Sequence, residues 1–437
     1  MNLSQVISFI EVACILIMSS AIYRRCFNRD RRFPIDDMGF VWLILADIYI
    51  LIPFMMWLIL GCEYSPVHGR LYQIQPEWDE VAYIIKIGLS YITGFSFIYL
   101  FLIHKVRILP NSGIPEVDRY HVIGAATIVF GSLVIQLAVQ GSGVIDKPSS
   151  YIEQYFVVQQ LPLNIRQLIK ISSGWANVAM VILIVALVQR WPRQRWLLFF
   201  YIVYLVAIYD PTGSRAGVTL GLFSLLVSWH VLVRPFSVKS ILLVGGMGLI
   251  VFSILGWYRN YGSLGDLFLL SRYDLSAGEF DSLWGNAVEV LRSRTSVQPQ
   301  IPWYIRYEEF FGFVPSQVLW FPKNSLSNWF LDEFHPLYKD QGGGLAFGII
   351  AQAIVGGGIF EGFIRGAALG YILGKVMTFF RSKMDRWWVF PLQVYLLTWM
   401  FQNVRSTSFA LLTLVVQLVL PALIITYGIG LVIRPRV

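Results

Sequence analysis

The sequence predicts an all-α, polytopic membrane protein. Of its 437 residues, 56% are hydrophobic and only 14% are charged, and the mean hydropathy is +0.62. Much of the chain consists of apolar runs of about 17–25 residues, the length that an α-helix needs to cross ~30 Å of hydrocarbon. The 15 Trp and 22 Tyr residues suit the aromatic belts found at both surfaces of a bilayer.

The apolar runs predict about eleven membrane-spanning helices. The ninth run is too long for one perpendicular helix, and Gly356-Gly357-Gly358 within it favours a bend after an interfacial or re-entrant piece. No repeat or low-complexity tract divides the chain, so residues 1–437 are predicted to form a single integral membrane domain. The predicted spans lie near residues 5–23, 39–60, 82–103, 121–140, 168–189, 195–209, 215–233, 240–257, 345–380, 387–402 and 408–433.

Basic residues concentrate in one set of loops between these spans, for example in 24–32, 190–195 and 381–386. Because loops rich in Lys and Arg stay on the cytoplasmic side, this set predicts an external N-terminus and a cytoplasmic C-terminus. Most of the net charge of +8 comes from these cytoplasmic loops. We expect the loops to bind anionic lipid headgroups, and we expect no nucleic-acid partner.

One long polar loop, residues 258–344, lies between the eighth and ninth predicted spans and faces the external side. A long loop held by a helical scaffold is where function is expected, since connections between membrane helices are usually short. Its basic side chains predict a site for an anionic group. They are Arg259, Arg272, Arg292, Arg294, Arg306, Lys323 and Lys339.

A tight external turn precedes the seventh predicted span. Pro211 and Gly213 favour this turn, which leaves Ser214 and Arg215 at the N-terminus of the following helix. Such a terminus offers unpaired N–H groups and a partial positive charge, and an arginine adds a forked donor that suits phosphate. The alternative is an ordinary interfacial arginine whose side chain reaches toward the headgroups.

Two more arginines are flanked by aromatic residues close to the expected membrane surface, in Tyr258-Arg259 and Arg272-Tyr273. This combination suits a lipid-linked phosphate or diphosphate that carries a sugar, since aromatic rings stack on sugar faces. An aromatic belt with ordinary surface arginines is the alternative interpretation. By the same logic Arg405, in a short external turn, is a fourth candidate.

His335 is the candidate general base of the long loop. A neutral histidine near the membrane surface can accept a proton from an attacking hydroxyl or orient it. The rival bases are the carboxylates of Glu308-Glu309 and Asp332-Glu333, and a solvent-exposed loop histidine is the non-functional alternative. Arg306 and Lys323 are candidate substrate-binding residues, although Lys323 also fits an ordinary surface lysine.

The sequence predicts neither a metal ion nor a cofactor. Cys14, Cys26 and Cys62 fall in different topological positions, so neither a disulfide nor a metal cluster follows from them. No motif for a nucleotide, a zinc-dependent hydrolase or a serine hydrolase occurs in a supportive context.

Charged residues inside the predicted spans make transport an alternative function, because charges at membrane depth are costly and often functional. Glu11, Asp47 and Lys86 are isolated, whereas Glu361 and Arg365 are four residues apart and can neutralise each other along one helix. The spans do not show the matched, broken segments in two halves that indicate a transporter binding site.

Four short pieces occur in order within about residues 200–410. They are Thr212–Ala216, Tyr258–Gly262, Ser271–Asp274 and the amphipathic, Pro-bounded piece Phe313–Pro322, which we expect to lie on the membrane. Together with the eleven spans and one large late loop, they make the chain resemble the O-antigen (oligosaccharide repeat-unit) polymerases of the Wzy type. The enterobacterial common antigen polymerase branch is the most similar.

The resemblance implies a GT-C-type glycosyltransferase at the periplasmic face of the bacterial inner membrane. It would transfer a glycan en bloc from undecaprenyl diphosphate to the non-reducing end of a new lipid-linked repeat, with inversion and without a nucleotide sugar or metal. Arg215, Arg259 and Arg272 would surround the diphosphates, with Arg405 as a weaker contributor and His335 or a nearby carboxylate assisting the hydroxyl. Membrane lipids and a chain-length regulator of the Wzz type would be partners.

The related O-antigen ligases give an alternative, transfer of the glycan to lipid A core. Those enzymes carry a histidine followed by Asn, Ser or Gln, with a glycine eleven positions after the histidine. Here Pro336 follows His335, and the eleventh position is Ala346. This departure disfavours the ligase and weakens the assignment of His335 as the base, but it leaves the arginine prediction intact.

Overall fold

The structure is a computed structural model in which helices make up most of the described residues. No β-strand is assigned in that part of the chain, where Tyr64 and Ile74 form an isolated bridge. The all-α prediction is confirmed to that extent. The described residues are 3–30, 34–61, 63–64, 74–103, 114–141, 160–191, 193, 196, 215–237, 239–241, 243, 246, 279–296, 301–340 and 344–434.

The helices are numbered here along the described residues. They are α1 (Leu3–Asp30), α2 (Met38–Leu60), α3 (Trp78–Ile103), α4 (Arg119–Gly141), α5 (Leu163–Gln189), α6 (Arg215–Leu232), α7 (Glu279–Ser296), α8 (Trp303–Arg306), α9 (Leu326–Phe334), α10 (Pro336–Asp340), α11 (Ile349–Val355), α12 (Ile359–Ser382), α13 (Val389–Thr398), α14 (Gln402–Arg405) and α15 (Ala410–Ile433).

Several of these helices begin and end at residues that supply the missing backbone partners. The Asp37 carboxylate accepts the N–H of Phe40 at 2.9 Å and so caps α2. At the other end of α2, Gly61 adopts a φ of 62° and its N–H donates to the carbonyl of Trp57. Ser325 caps α9 by accepting the N–H of Asn328 at 3.0 Å.

Seven of the described helices are long and apolar enough to cross a membrane, which makes the chain a helical, multi-pass membrane protein. Each corresponds to one of the predicted spans, namely the first five, the ninth and the eleventh. They comprise Leu3–Phe27, Met38–Ile59, Trp78–Leu102, Arg119–Val139, Leu163–Gln189, Ile359–Ser382 and Ala410–Ile433.

The other four predicted spans have different outcomes. Those at 195–209 and 240–257 fall almost wholly outside the described residues. The seventh corresponds to the shorter apolar helix Leu220–Leu232, which is part of α6. The tenth contains α13, a helix of ten residues, about 15 Å long and therefore half the length that crossing requires.

The predicted bend in the ninth span is present. Helix α11 ends at Val355 with Gly356 as its C-cap, and α12 begins at Ile359. Gly358 has a φ of 64°, a conformation that a residue with a side chain rarely adopts. Its N–H donates to the carbonyl of Ala353 at 2.7 Å. The run 345–380 is therefore two helices, because three successive glycines allow the chain to turn between them.

By their contacts, the described residues divide into two compact units. The first is drawn from Met1–Arg107, Ser263–Thr378 and Met400–Leu412, and the second from Ile108–Gly262, Phe379–Trp399 and Thr413–Val437. Whether the chain is one folding domain, as the sequence predicts, stays a prediction.

In the first unit, the backbones of α3 and α12 touch. A Cβ atom on Gly366 would lie 2.1 Å from the carbonyl oxygen of Tyr91, and one on Gly94 would lie 2.1 Å from that of Phe363. Glycine recurs at every fourth position of α12, at 362, 366, 370 and 374. This is the small-residue spacing that lets membrane helices pack closely.

Helix α7, inside the predicted polar loop, is held against α2 and α3 of the same unit. Trp284 is fully buried and donates from Nε1 to the carbonyl of Tyr49 at 3.1 Å. Arg292 forms a bidentate ion pair with Glu80, with N–O distances of 2.7 and 2.9 Å. The loop is therefore only partly a surface segment, because an amphipathic helix within it buries its apolar face.

In the second unit, α4 packs against α5 and α15, and α6 packs against α5 and α13. Gly124 of α4 meets the backbone of Thr426 in α15, where an added Cβ would lie 2.7 Å from the carbonyl oxygen. Beside it, the ring of His121 stacks on Trp387 with centroids 3.9 Å apart. These contacts join α4, which precedes the long loop in the sequence, to α15 and Trp387, which follow it.

Candidate functional site

Half of the candidate residues named from the sequence lie outside the described residues. These are Ser214, Tyr258, Arg259, Arg272 and Tyr273. Arg215 is the first residue of the described helix α6, as predicted, but its side chain lies outside the description. Arg215 belongs to the second unit, whereas Arg306, Lys323, His335 and Arg405 belong to the first.

Arg306 binds to the first turn of α12. Its Nη2 donates to Oε2 of Glu361 at 2.7 Å. The other carboxylate oxygen of Glu361 accepts from Nε of Arg365 at 2.7 Å. The predicted pairing of Glu361 with Arg365 is thus confirmed, and the loop arginine Arg306 joins it. The backbone N–H of Gly357 also donates to Glu361, at 2.6 Å.

The network continues inward from Arg365. Its Nη1 binds the carboxylate of Glu309, and Nε2 of Gln352 donates to the other Glu309 oxygen at 2.7 Å. The amide oxygen of Gln352 accepts the hydroxyl of Ser408 at 2.8 Å, and that hydroxyl also bonds to the Tyr91 hydroxyl. We call Arg306, Glu309, Gln352, Glu361 and Arg365 the charge network.

The charge network has equal numbers of positive and negative groups, and its side chains differ in their exposure to solvent. It contains two guanidinium groups and two carboxylates, so a fully ionised network carries no net charge. The side chains of Arg365 and Glu309 are only 5% and 0% exposed, whereas that of Arg306 is 32% exposed. Arg306 is therefore the member that a ligand can reach, and the buried members fix the position of its guanidinium group.

Sequence reasoning found the pair within α12 but not the rest of the network. The sequence prediction includes Glu309 only as a rival base and does not include Gln352. Neither residue is spaced from Glu361 or Arg365 in a way that one helix would reveal. A glutamine within an otherwise apolar run, Ile349–Val355, was the available signal, because a buried amide requires polar partners.

His335 forms a pair with Glu289 of α7. Its Nε2 lies 2.8 Å from Oε2 of Glu289, and both side chains are largely buried. When the Glu289 carboxylate is ionised it only accepts hydrogen bonds, so the imidazole then donates from Nε2, and Nδ1 is its other nitrogen. The ring also packs edge-on against Phe330, with centroids 5.4 Å apart. This arrangement orients an imidazole that can accept a proton.

Glu289 was missed because the sequence gives it no distinguishing context. It lies in the middle of α7, among residues whose alternation predicts an amphipathic helix, where a glutamate usually faces water. The structure instead buries most of its side chain against His335, 46 positions away. A contact of that separation is decided by the packing of α7 and α9.

Lys323 and Arg405 hold structural positions as well. Nζ of Lys323 donates to the carbonyls of Gly312 and Val314, at 2.6 and 2.9 Å. Arg405 ends helix α14 and is half-buried, three residues before the Ser408 that bonds to the charge network. That either residue contacts a substrate stays a prediction.

Glu308, next to Glu309 of the charge network, has a raised pKa. Burial raises the pKa of its carboxyl to about 7, and repulsion by Glu309 acts in the same direction. A hydrogen bond from the backbone of Leu326 and the charge of Lys323 oppose this increase. A carboxyl group with this pKa is partly protonated at neutral pH.

We expect a measurable pH dependence of stability from Glu308. Its pKa is about 7 in the folded protein against an ordinary value of 4.5, so its stabilising contribution is full below pH ~4.5 and lost as the pH rises through ~7. Glu308→Gln is uncharged at every pH, so its thermal midpoint in detergent should fall less between these two pH values than that of the native protein. Equal pH slopes for both proteins would contradict the raised pKa.

The described residues contain no group of three or more His, Cys, Asp or Glu side chains arranged to hold a metal ion. Metal independence stays a prediction. Comparisons of the chain with protein-family models, with curated proteins and with solved structures found no match.

Proposed function

We propose that the protein is a glycosyltransferase that polymerises undecaprenyl-diphosphate-linked oligosaccharide repeat units. In this proposal it has about eleven spans and a GT-C-like architecture and lies in the bacterial inner membrane. The N-terminus and the loop 258–344 face the periplasm, and the C-terminus faces the cytoplasm. A chain-length regulator of the Wzz type is its partner.

The observation that carries the proposal is the pair of His335 and Glu289. A transfer of a glycan to a hydroxyl needs a base near the membrane surface, and a histidine whose Nε2 is fixed by a carboxylate 2.8 Å away is poised to accept a proton at Nδ1. The pair lies in the loop 258–344, where the sequence predicts the functional site. The side chains of His335 and Glu289 are 12% and 17% exposed, so the pair is largely shielded from bulk water.

The proposed reaction balances as follows. A hydroxyl oxygen at the non-reducing end of the acceptor repeat bonds to the anomeric carbon of the donor glycan. The bond between that carbon and the diphosphate oxygen breaks, and undecaprenyl diphosphate leaves with the electron pair. The hydroxyl proton passes to His335. Attack from the side opposite the diphosphate inverts the anomeric centre.

Arginines stabilise the departing diphosphate in this proposal. Arg215, Arg259 and Arg272 surround the phosphates of the two lipid carriers, with Arg306 and Arg405 as further contacts. Arg306 is supported by its geometry, since a guanidinium group held by Glu361 does not have to be ordered when the substrate arrives. Ser214, Tyr258, Tyr273 and Lys323 line the sugar and phosphate positions.

The proposal is tested with purified protein in nanodiscs, given one undecaprenyl-diphosphate-linked repeat unit and no nucleotide sugar. We expect a ladder of multiples on a gel. His335→Ala should slow ladder formation by about 10²–10⁴-fold, the usual contribution of a general base. Glu289→Gln should cause a smaller loss and change the pH profile of the rate, because the amide no longer fixes the imidazole tautomer.

Glu333→Gln is the matched control. Glu333 is exposed and lies two residues before His335, and its substitution should leave the ladder unchanged. If Glu333→Gln stops the reaction and His335→Ala does not, the base belongs to the rival carboxylate pair Asp332-Glu333. A single unchanged band from folded native protein with its cognate repeat would reject the polymerase.

Transport of a lipid-linked or anionic substrate is a second candidate, favoured by the ionisable groups within the candidate spans. Besides the charge network, Asp47 accepts hydrogen bonds from Ser19 and Tyr23 within the first unit. In vesicles, a transporter should lose substrate movement with Glu361→Gln or Asp47→Asn and keep it with Arg259→Ala. The polymerase predicts the reverse order for ladder formation.

A further inference from the structure

A cluster of aromatic rings lies within residues 303–321 of the long loop. Trp303 packs against Phe321 with ring centroids 5.2 Å apart and against Trp320 at 5.9 Å. Tyr304 stacks on Phe321 at 5.1 Å, and Phe311 meets the same ring edge-on at 5.4 Å. We call these five residues the aromatic ridge. Phe321 is its buried centre, so the ridge is a small packed core.

The outer face of the ridge is exposed and apolar. Trp320 is 83% exposed and the neighbouring Val318 is 72% exposed. Trp303 and Phe310 are exposed as well. Exposed apolar residues are ordinary when they are single, but a contiguous group of this size on a packed base indicates a surface that binds something.

Both basic side chains of the segment 303–323, Arg306 and Lys323, bind partners within the protein. Nζ of Lys323 donates to the carbonyls of Gly312 and Val314. These hydrogen bonds link the two ends of the segment 312–323. Trp320 and Val318 are the most exposed large apolar side chains of the segment 303–323.

The ridge is fixed at the end of a candidate membrane span. Arg306, three residues after Trp303, binds Glu361 in the first turn of α12 at 2.7 Å, and Phe310 packs against Phe409 with centroids 5.2 Å apart. The first turn of α12 also exposes Phe360. The ridge therefore belongs to a segment that is attached to the first turn of a helix long and apolar enough to cross the bilayer.

We propose that the aromatic ridge inserts into the interfacial layer of the bilayer leaflet on the loop side. The partner is the lipid surface itself, at the level where headgroups meet acyl chains. Indole rings favour that layer because one part of the ring is apolar and its N–H is polar. An inserted ridge anchors the loop at the membrane surface. The inference does not depend on the proposed activity.

A spin label at Val318 tests this inference. Val318→Cys is prepared in full-length protein whose Cys14, Cys26 and Cys62 are replaced by Ala, labelled with a nitroxide and reconstituted into vesicles of phosphatidylethanolamine and phosphatidylglycerol. Power saturation then compares the accessibility of the label to oxygen, which partitions into lipid, with its accessibility to a nickel chelate, which stays in water.

Leu337→Cys supplies the matched control. Leu337 is 77% exposed and lies in α10 of the same loop, outside the ridge. We expect the ratio of oxygen to nickel accessibility to be several-fold higher for the label at 318 than for the label at 337. If Val318→Cys does not fold, Trp320→Cys carries the same label.

Equal ratios at the two positions would overturn the inference, because the label at 318 would then be in water. Immobilisation of a water-exposed label by added soluble oligosaccharide would overturn it too, since the ridge would then be a platform for sugar rings. A higher ratio at 318 that disappears with Trp303→Ser and Trp320→Ser would support insertion by the ridge.

Discussion

Arg365→Ala is expected to destabilise the protein by about 3–5 kcal/mol, the usual cost of removing one partner from a buried ion pair. Arg365 binds Glu309 and Glu361 at the same time. Its loss leaves a fully buried carboxylate, Glu309, without its cation. That carboxylate must either stay ionised without compensation or take up a proton, and both options cost free energy in a dry interior.

The measurement is the free energy of unfolding by steric trapping in bicelles, together with the thermal midpoint in detergent. Arg386→Ala is the matched control, because Arg386 pairs with Asp385 at 3.7 Å while both side chains are exposed. Exposed pairs contribute about 0.2–1 kcal/mol, so the control should barely change. A similar small effect for Arg365→Ala would mean that the charge network is not maintained in the folded protein.

Gly366→Leu is expected to have the second large effect, on the packing of α3 against α12. A Cβ at residue 366 already meets the carbonyl oxygen of Tyr91 at 2.1 Å, and a leucine adds a branched group behind it. The obstructing atom belongs to the backbone and cannot rotate away. Overpacking usually costs about 1–3 kcal/mol, and we expect the upper end of that range or beyond, with little folded protein recovered from membranes.

Gly131→Leu is the control for the substitution itself. Gly131 also lies within a candidate span, in α4, but a Cβ there meets nothing within 4 Å. Monodisperse protein by size exclusion and an unchanged thermal midpoint are expected for this variant. Gly366→Ala should lie between the two, because it adds the clashing Cβ alone. Normal behaviour of Gly366→Leu would show that α3 and α12 are not in backbone contact.

The local features of the fold could be predicted from the sequence. Apolar runs determine which segments form membrane helices, since a segment in hydrocarbon must satisfy its own backbone hydrogen bonds. The break at Gly356–Gly358 and the pairing of Glu361 with Arg365 were likewise predictable, because both depend on residues within a few positions of one another. The glycines at every fourth position of α12 are an equally local signal, which indicates close packing against another helix.

The candidate site could be predicted only in part. The loop and His335 were found from chemistry and position along the chain. The partners of the described candidates were not, since Glu289 lies 46 positions from His335 and Glu361 lies 55 positions from Arg306. Contacts of that separation depend on how α7, α9 and α12 pack, and amino-acid periodicity in one segment carries no information about it.

By itself, therefore, the sequence determined that this is a helical membrane protein with one long polar segment between apolar runs, because hydrophobic length and local backbone preference act within each segment. Only the tertiary structure decided that Arg306 is held by a balanced network and that His335 is paired with Glu289. The physical reason is that a buried charge must find an opposite charge in space, and the nearest one in space is seldom the nearest along the chain.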